Sequence, residues 1–154
     1  MYRPASPLVA RLIDLRNVFD RHGRRPRRRG RLHPARRGTA HELEAAHQPA
    51  FAPGSEVAWC IPADSVVLHR RDRPSRGEHE NPVHGTVAEA LRLGEMTQVR
   101  VAVPGIDSPI HLTIPTHVAR RNRVDAGEPI GVSLRAGAIH LMPAEGDGDE
   151  PREP

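Results

Sequence analysis

Two stretches of the sequence, residues 54–70 (GSEVAWCIPADSVVLHR) and residues 127–143 (GEPIGVSLRAGAIHLMP), share one pattern. Each begins with a Gly-led turn, continues as an apolar strand, is interrupted by a short polar break and ends in a second apolar strand. When Gly54 is aligned with Gly127, the apolar positions coincide, and a fixed internal offset of this kind indicates that one structural unit is used twice. The sequence therefore predicts two hairpin-like endings, around which the rest of the chain is organised.

The composition favours short strands and turns over long helices, because aromatic residues make up only 3% of the chain while 16 prolines and 13 glycines are present. A length of 154 residues suits one compact domain or two small ones. The single cysteine, Cys60, cannot form an internal disulfide and fits a reducing compartment. The sequence contains no apolar run of roughly 18 residues, so we expect a cytoplasmic protein without membrane insertion.

The positive charge is concentrated in one segment. The formal net charge of +4 comes from residues 16–37, which hold most of the excess arginine, while the remainder of the chain is mildly acidic. Residues 20–40 are rich in Arg, Pro and Gly with almost no apolar periodicity, so we predict a disordered insert there. The acidic tail, residues 144–154, is also predicted to be disordered, and residues 71–80 read as a polar linker between two parts of the chain.

Alternating strands dominate the second half. Residues 97–103 and 110–115 alternate between apolar and polar side chains, and residues 116–122 form a short helix that Thr116 is expected to cap. Residues 82–94 supply a further strand region, whose apolar side is predicted to comprise Val83, Val87, Leu91 and Leu93. Together with the closing stretch, these segments give about six strands within residues 81–143. The fold class is therefore all-β, in the form of a small barrel. In the first half, residues 8–19 predict a helical turn followed by a strand.

The order of these elements resembles the TOBE domain, a transport-associated OB-type module. The matching residues are the opening Asn81-Pro82-Val83-His84-Gly85-Thr86-Val87, Gly94, the strands at 97–103 and 110–115, and the closing Gly127, Ile130-Gly131-Val132-Ser133-Leu134 and Ile139-His140-Leu141. The opening Arg16-Asn17-Val18-Phe19 and the stretch from Pro53 to Leu68 resemble a second such unit. Residues 1–19 and 41–70 are thus interpreted as a partial, degraded first TOBE-like copy, and residues 81–143 as an intact OB-like TOBE barrel. A shifted reading frame across residues 20–40 would explain the insert.

The resemblance implies a role in transport. TOBE domains follow the ATPase domain in the ATP-binding subunits of many ABC importers and also form small molybdate-binding proteins. It implies a non-catalytic regulatory or substrate-sensing module, with molybdate, tungstate or a similar oxyanion as ligand and no other cofactor. The implied partners are ABC transporter ATPase and permease subunits or a second TOBE copy in a homodimer, in the cytoplasm or peripherally at the inner membrane. The sequence contains no G-x-x-x-x-G-K-[ST] motif and no lysine to serve one, so we expect no ATP hydrolysis.

A small oxyanion needs backbone N–H groups and Ser, Thr, Asn or Arg donors. The candidate ligands that the resemblance implies are Arg16, Asn17, Asn81, Thr113, Thr116, Ser133 and Arg135. Simpler interpretations compete for three of them: turn chemistry for Asn81, a helix cap for Thr116 and a solvent-facing strand position for Thr113. The spacing of the ten histidines matches no metal motif. A triad of Ser65, His69 and Asp64 is rejected because these side chains would not converge on a substrate.

Two alternatives remain open. An OB-like protein could bind nucleic acid through the Arg-rich segment, although residues 81–143 contain no Phe, Tyr or Trp for stacking, which makes a nucleic-acid partner the weaker hypothesis. The chain could also be a remnant reading frame with no independent function.

Overall fold

The computed structural model of the chain describes residues 4–12, 16–24, 31–32, 43–45, 51, 56–70, 80–106 and 108–143. The strands are β1 (Val18–Arg24), β2 (Arg31–Leu32), β3 (Leu43–Glu44), β4 (Glu56–Cys60), β5 (Val66–Leu68), β6 (Glu80–Leu93), β7 (Met96–Ala102), β8 (Ile110–Pro115), β9 (Pro129–Arg135) and β10 (His140–Pro143). Two helices of six residues each, α1 (Pro7–Leu12) and α2 (Thr116–Arg121), and two short 3-10 turns, Ala63–Ser65 and Ala136–Ala138, complete the described elements. The all-β prediction is confirmed.

The strands form three antiparallel sheets. The largest has five strands in the order β5-β9-β6-β7-β8, and its two outer strands, β5 and β8, also come into contact, so that the sheet curls into a nearly closed barrel. A second sheet has the order β1-β4-β10, and β2 pairs with β3. The helical turn and strand predicted for residues 8–19 correspond to α1 and β1.

Side-chain alternation explains the core of the barrel. The predicted inward residues of β7 and β8, including Val99, Val101 and Leu112, are at most 1% exposed, and their polar neighbours lie outside. The run from Val57 to Cys60 in β4 is buried on both faces, which fits its unbroken apolar character. Trp59 of β4 stacks on Phe19 of β1 with ring centroids 4.2 Å apart, and both rings are buried. Both rings belong to the same hydrophobic core as the buried barrel residues, so the two halves of the chain share one core.

The two similar stretches exchange strands with each other. In the first pairing, β4 lies against β10, with Trp59 opposite Leu141. In the second, β5 lies against β9, with Leu68 opposite Val132. In the sequence alignment Trp59 corresponds to Val132 and Leu68 to Leu141, so each pairing is the image of the other.

The hairpin-like endings predicted from these stretches are therefore wrong. The break between the two strands of each stretch is a 3-10 turn that follows an extended residue, Pro62 or Arg135. Such a turn leads the chain out of the sheet, whereas a hairpin needs a tight turn that returns the strand beside itself. Each second strand pairs with the first strand of the other stretch instead.

The predicted boundary at residues 71–80 does not separate two sheets. The barrel takes its fifth strand, β5, from residues before this segment, while β10 leaves the barrel to join the other sheet. Residues 81–143 thus hold five strands rather than six, and four of them belong to the barrel. Glu80 already lies in β6, and residues 71–79 are outside the described residues.

Two further predictions need correction. Leu91 and Leu93 are 49% and 51% exposed rather than buried, because β6 is 14 residues long and continues beyond the barrel after a bulge between Val87 and Glu89. In the segment predicted to be disordered, residues 20–24 belong to β1 and residues 31–32 form β2. Backbone pairing with β4, such as Gly23 opposite Val57, needs no apolar side chains. The rest of residues 20–40 and the tail from residue 144 are outside the described residues.

Gly85 has a specific role in the pairing of β6 with β7. A Cβ atom at this position would lie 2.3 Å from the carbonyl oxygen of Ala102 on β7. Only a residue without a side chain allows the two strands to approach this closely.

Candidate functional site

One cleft, of about 330 Å³, lies between Arg16, which precedes β1, the turn between β4 and β5, and the strands β7 and β8. We call it the Arg16 cleft. The residues that line it are Arg16, Pro62, Ala63, Asp64, Gln98, Val99, His111, Leu112 and Thr113. It brings together residues from the first half of the chain and from the barrel, so its shape depends on how the two halves pack.

Asn17 fixes the position of Arg16 in this cleft. The side chain of Asn17 is 1% exposed, and its Nδ2 donates to the carbonyl oxygen of His111 at 2.7 Å while its Oδ1 accepts from the backbone N–H of His111 at 2.6 Å. Because β8 is an outer strand of the sheet, these two bonds satisfy backbone groups that a further strand would otherwise pair. Asn17 therefore holds the chain against β8, and both polar atoms of its buried side chain are engaged there.

The cleft presents hydrogen-bond donors beside one carboxylate. The guanidinium of Arg16 donates to Oε1 of Gln98 at 3.5 Å, and Gln98 lies opposite Thr113 across β7 and β8. Arg16 and Thr113 are exposed, so both can reach a ligand. Asp64 also lines the cleft, where its Oδ1 accepts from the hydroxyl of Ser65 at 3.3 Å, and its charge opposes an anion.

The pKa of His111 reflects the charges that act on the same cleft. Burial lowers this pKa, the guanidinium groups of Arg100 and Arg16 lower it further, and the carboxylate of Glu89 raises it. The two arginines therefore outweigh the carboxylate at this imidazole. Glu89 is itself paired with Arg100, at 3.0 Å between Oε2 and the guanidinium nitrogen.

The remaining predicted ligands lie elsewhere. Asn81 is buried inside β6, where its Nδ2 donates to the carbonyl oxygen of Leu134 at 2.8 Å, so its interpretation as a turn residue is wrong. Ser133 is fully buried in β9. Arg135 ends β9 and is exposed, and it does not line the Arg16 cleft. Of the seven candidates, Arg16 and Thr113 line this cleft, and Asn17 follows Arg16 in the chain.

Thr116 is neither a ligand of this cleft nor a helix cap. It is the first residue of α2, while Pro115 occupies the N-cap position, so no side-chain cap forms. The hydroxyl of Thr116 donates to the carbonyl oxygen of Gly94 at 2.9 Å and lies 3.0 Å from the hydroxyl of Thr97. These contacts attach α2 to the turn between β6 and β7.

A second cleft, of about 290 Å³, was not foreseen from the sequence. It lies at the end of β5, where His69 packs against β6 and β9. Nε2 of His69 is 2.5 Å from the hydroxyl of Ser133. Burial lowers the pKa of His69, the nearby imidazole of His84 lowers it further, and the carboxylate of Glu80 raises it. We call this the His69 cleft, after its most buried polar residue.

The sequence predicts only some of the residues that line these two clefts. Alternation in the two strands already places Gln98, His111 and Thr113 on the outer face, and antiparallel pairing then brings them together. The partner of His69 could not be found in this way, because Ser133 is 64 residues away and reaches it through the exchange of strands.

Within the described residues, no cluster of three or more His, Cys, Asp or Glu side chains could hold a metal ion. The helices in that part of the chain are also too short and too polar to cross a bilayer. Phe19 and Trp59, both buried, offer no stacking surface to a nucleic acid.

Comparisons with known proteins agree with this architecture. A family model described as the TOBE domain matches residues 70–142, which include β6 to β9. The maltose/maltodextrin import ATP-binding protein MalK of Vibrio parahaemolyticus serotype O3:K6 (strain RIMD 2210633) is 29% identical over 100 residues. That match covers 58% of this chain and 26% of MalK, so the chain spans about a quarter of the length of this relative.

A solved structure shares the fold over most of the chain. It is that of the cytoplasmic molybdate-binding protein ModG with molybdate bound, with a TM-score of 0.69, 19% sequence identity, and coverage of 84% of this chain and 97% of ModG. At this identity the likeness concerns the fold alone. The family match identifies residues 70–142 as a TOBE domain.

Proposed function

We propose that the chain is a regulatory, ligand-sensing module of an ABC importer that acts by binding rather than by catalysis. In this proposal it works in the cytoplasm with the ATP-binding and permease subunits, and it binds a tetrahedral oxyanion such as molybdate or tungstate. The TOBE match and the relationship to an import ATP-binding protein support the transport role. The fold that it shares with a molybdate-binding protein supports the choice of ligand.

The proposal includes an arrangement of two related units. Residues 1–19 and 41–70 would be the remains of a first TOBE-like copy, residues 71–80 a connection and residues 81–143 the second copy. The reciprocal pairing of β4 with β10 and of β5 with β9 supports this arrangement. It is the pairing expected if two equivalent units were related by an approximate two-fold axis.

The donor set of the Arg16 cleft carries the ligand proposal. A tetrahedral oxyanion is bound best by a guanidinium together with neutral N–H and O–H donors, because the guanidinium supplies charge and directional hydrogen bonds at once. Arg16, Gln98 and Thr113 supply these three groups from adjoining segments. Asn17 contributes indirectly, since its two bonds to His111 keep Arg16 in place.

Asp64 sets a limit on affinity. Its carboxylate lies in the same cleft, so a dianion must bind against a like charge. We therefore expect binding weaker than in a site free of carboxylates, and we expect Asp64→Asn to strengthen it.

Isothermal titration calorimetry with molybdate and tungstate tests the ligand. We expect Arg16→Gln to weaken binding at least tenfold, since a charge-assisted hydrogen bond is lost, on the order of 1.5–3 kcal/mol. Arg135→Gln is the matched control, because it removes an exposed arginine outside the cleft. A flat isotherm at millimolar anion, or equal losses in the two variants, would remove this cleft as the site.

The importer role is tested separately. Co-purification of the full chain with the ATP-binding subunit of a TOBE-containing importer is the expected result, and sedimentation velocity of the chain alone measures whether a homodimer forms. If neither assembly is observed at micromolar concentration, the proposed partners are wrong, whatever the outcome of the anion titration.

A further inference from the structure

The His69 cleft combines an apolar wall with a basic rim. Leu68, Val87 and Ile130 contribute to the wall, and Arg70, His84 and Arg123 to the rim. Among the described residues that line this cleft there is no carboxylate, in contrast to the Arg16 cleft, although the carboxylate of Glu80 is near enough to act on His69. Its volume of about 290 Å³ is close to the lower end of the range for small-molecule sites.

A buried polar atom without a partner lies at the floor of this cleft. His69 is 9% exposed, and its Nδ1 makes no hydrogen bond, while its Nε2 is held by Ser133. Buried polar atoms are almost always paired, and an exception at a cleft points to a missing ligand. Because Ser133 is part of the central sheet, the imidazole is fixed in orientation.

A second imidazole faces the same point. His84 is exposed and lies edge-on to His69, with ring centroids 6.2 Å apart. A Cβ atom on Gly131 would come within 2.8 Å of Nδ1 of His69 and 3.1 Å of Nδ1 of His84. The glycine therefore leaves room for two nitrogen atoms to approach one small volume.

The charges around this volume favour an anion over a metal ion. Two histidines without a third ligand make an incomplete metal set, and two arginines in the lining would repel a cation. Arginine pairs with phosphoryl oxygens through two parallel hydrogen bonds. The apolar wall, in turn, favours a ligand that carries a hydrophobic part beside its charge.

We propose that the His69 cleft binds a phosphomonoester with an apolar body. The phosphoryl group lies at the rim between Arg70, His84 and Arg123, and the apolar body packs against the wall. In the tautomer of His69 that carries its proton on Nδ1, this N–H donates to a phosphoryl oxygen. The exposed His84 ring rotates to make room for that oxygen. This site is separate from the Arg16 cleft and does not depend on the oxyanion proposal.

Phenyl phosphate is a suitable probe, because it joins a phosphoryl dianion to a compact apolar ring. The full chain is titrated with it by isothermal titration calorimetry, and the imidazole signals of His69 and His84 are followed by NMR. We expect saturable binding that shifts both imidazole signals. We also expect inorganic phosphate to bind at least tenfold more weakly, because it leaves the apolar wall exposed.

Variants identify the site. Arg123→Gln is expected to weaken phenyl phosphate binding at least tenfold, whereas Arg121→Gln, which removes an exposed arginine two residues away outside the cleft, leaves it unchanged. His84→Gln, at an exposed position, provides a second test in case Arg123→Gln disturbs the fold. No saturable binding, or equal affinity of Arg123→Gln, His84→Gln and the unchanged chain, would overturn the proposal. Equal binding of inorganic and phenyl phosphate would overturn the choice of an organic ligand.

Discussion

Replacement of Asn17 by alanine should destabilise the fold rather than remove a ligand contact. The side chain is buried and forms two hydrogen bonds to the backbone of His111, at 2.6 and 2.7 Å. Alanine leaves a partly buried N–H and a partly buried carbonyl without partners, and each such group costs about 1–3 kcal/mol. Since water can reach part of the outer strand β8, we expect a loss near the lower end for each group, about 2–4 kcal/mol in total. This is a large part of the stability of a typical small domain.

Urea unfolding followed by tryptophan fluorescence measures this loss, because Trp59 lies in the core. Asn122→Ala is the comparison: it removes the hydrogen bond from Nδ2 to the carbonyl oxygen of Val118 at 2.9 Å, at a half-buried site. It should cost less, because that carbonyl also accepts from the backbone N–H of Asn122. Asn17→Asp should cost more than Asn17→Ala at neutral pH, because a carboxylate oxygen would face the carbonyl of His111. This excess should shrink as acid protonates the carboxylate. If Asn17→Ala costs no more than Asn122→Ala, the structural role assigned to Asn17 is refuted.

Three further outcomes are expected. Gly85→Ala should lower the melting temperature sharply, because the new Cβ would lie 2.3 Å from a carbonyl oxygen on β7. Gly137→Ala, whose new Cβ would have no atom within 4 Å, should change the melting temperature little, and similar melting curves of the two variants would contradict this explanation. Burial raises the pKa of Cys60 to about 11 from the ordinary 9.0, so a thiol reagent should label this cysteine only as fast as the chain unfolds, and rapid labelling of the native protein would contradict this. The stability that comes from the buried neutral thiol should be lost as the pH rises from 9.0 towards 11. The pKa of His69 is lowered from 6.5, first by burial and then by the neighbouring imidazole. The stability that the neutral imidazole contributes is therefore present above pH 6.5 and is lost as the pH falls through the lowered pKa. His69→Gln, whose amide can still bond Ser133, should flatten the dependence of unfolding free energy on acid pH, and unchanged slopes would exclude His69 as a source of that dependence.

The strand content of the barrel follows from local sequence. Strict alternation in β7 and β8 determines which residues face inward, because the side-chain period of a strand is two. The unbroken apolar run of β4 likewise predicts burial on both faces. These patterns depend on neighbouring residues only, so they can be read without knowledge of the fold.

Strand pairing could not be predicted in the same way. The exchange of β5 and β10 depends on contacts between residues more than 60 positions apart, such as Val66 with Leu134. The offset between the two stretches showed that they are alike but not that they pair with each other. The same limit explains the outcome for Leu91 and Leu93, whose apolar character predicted burial although the hairpin of β6 and β7 extends beyond the core.

The candidate site was predicted unevenly for a related reason. Arg16 and Asn17 were chosen from the opening motif, but only Arg16 lines the Arg16 cleft, and Asn17 serves as a structural residue beside it. Ser133 and Asn81 carry ligand-like side chains, but partners on distant strands use them for hydrogen bonds within the fold. Residue type alone does not distinguish a free donor from one that is already satisfied.

The exchange of strands between the two similar stretches also bears on what would happen if the chain were divided. A cut between Arg70 and Glu80 would separate β1–β5 from β6–β10. Each fragment would then hold strands whose hydrogen-bond partners lie in the other fragment. The first fragment would lack β9 and β10, which pair with β5 and β4, and the second fragment would lack β4 and β5 in turn. We therefore expect the behaviour of a split protein, in which two separately produced pieces associate through these pairings to reconstitute one molecule.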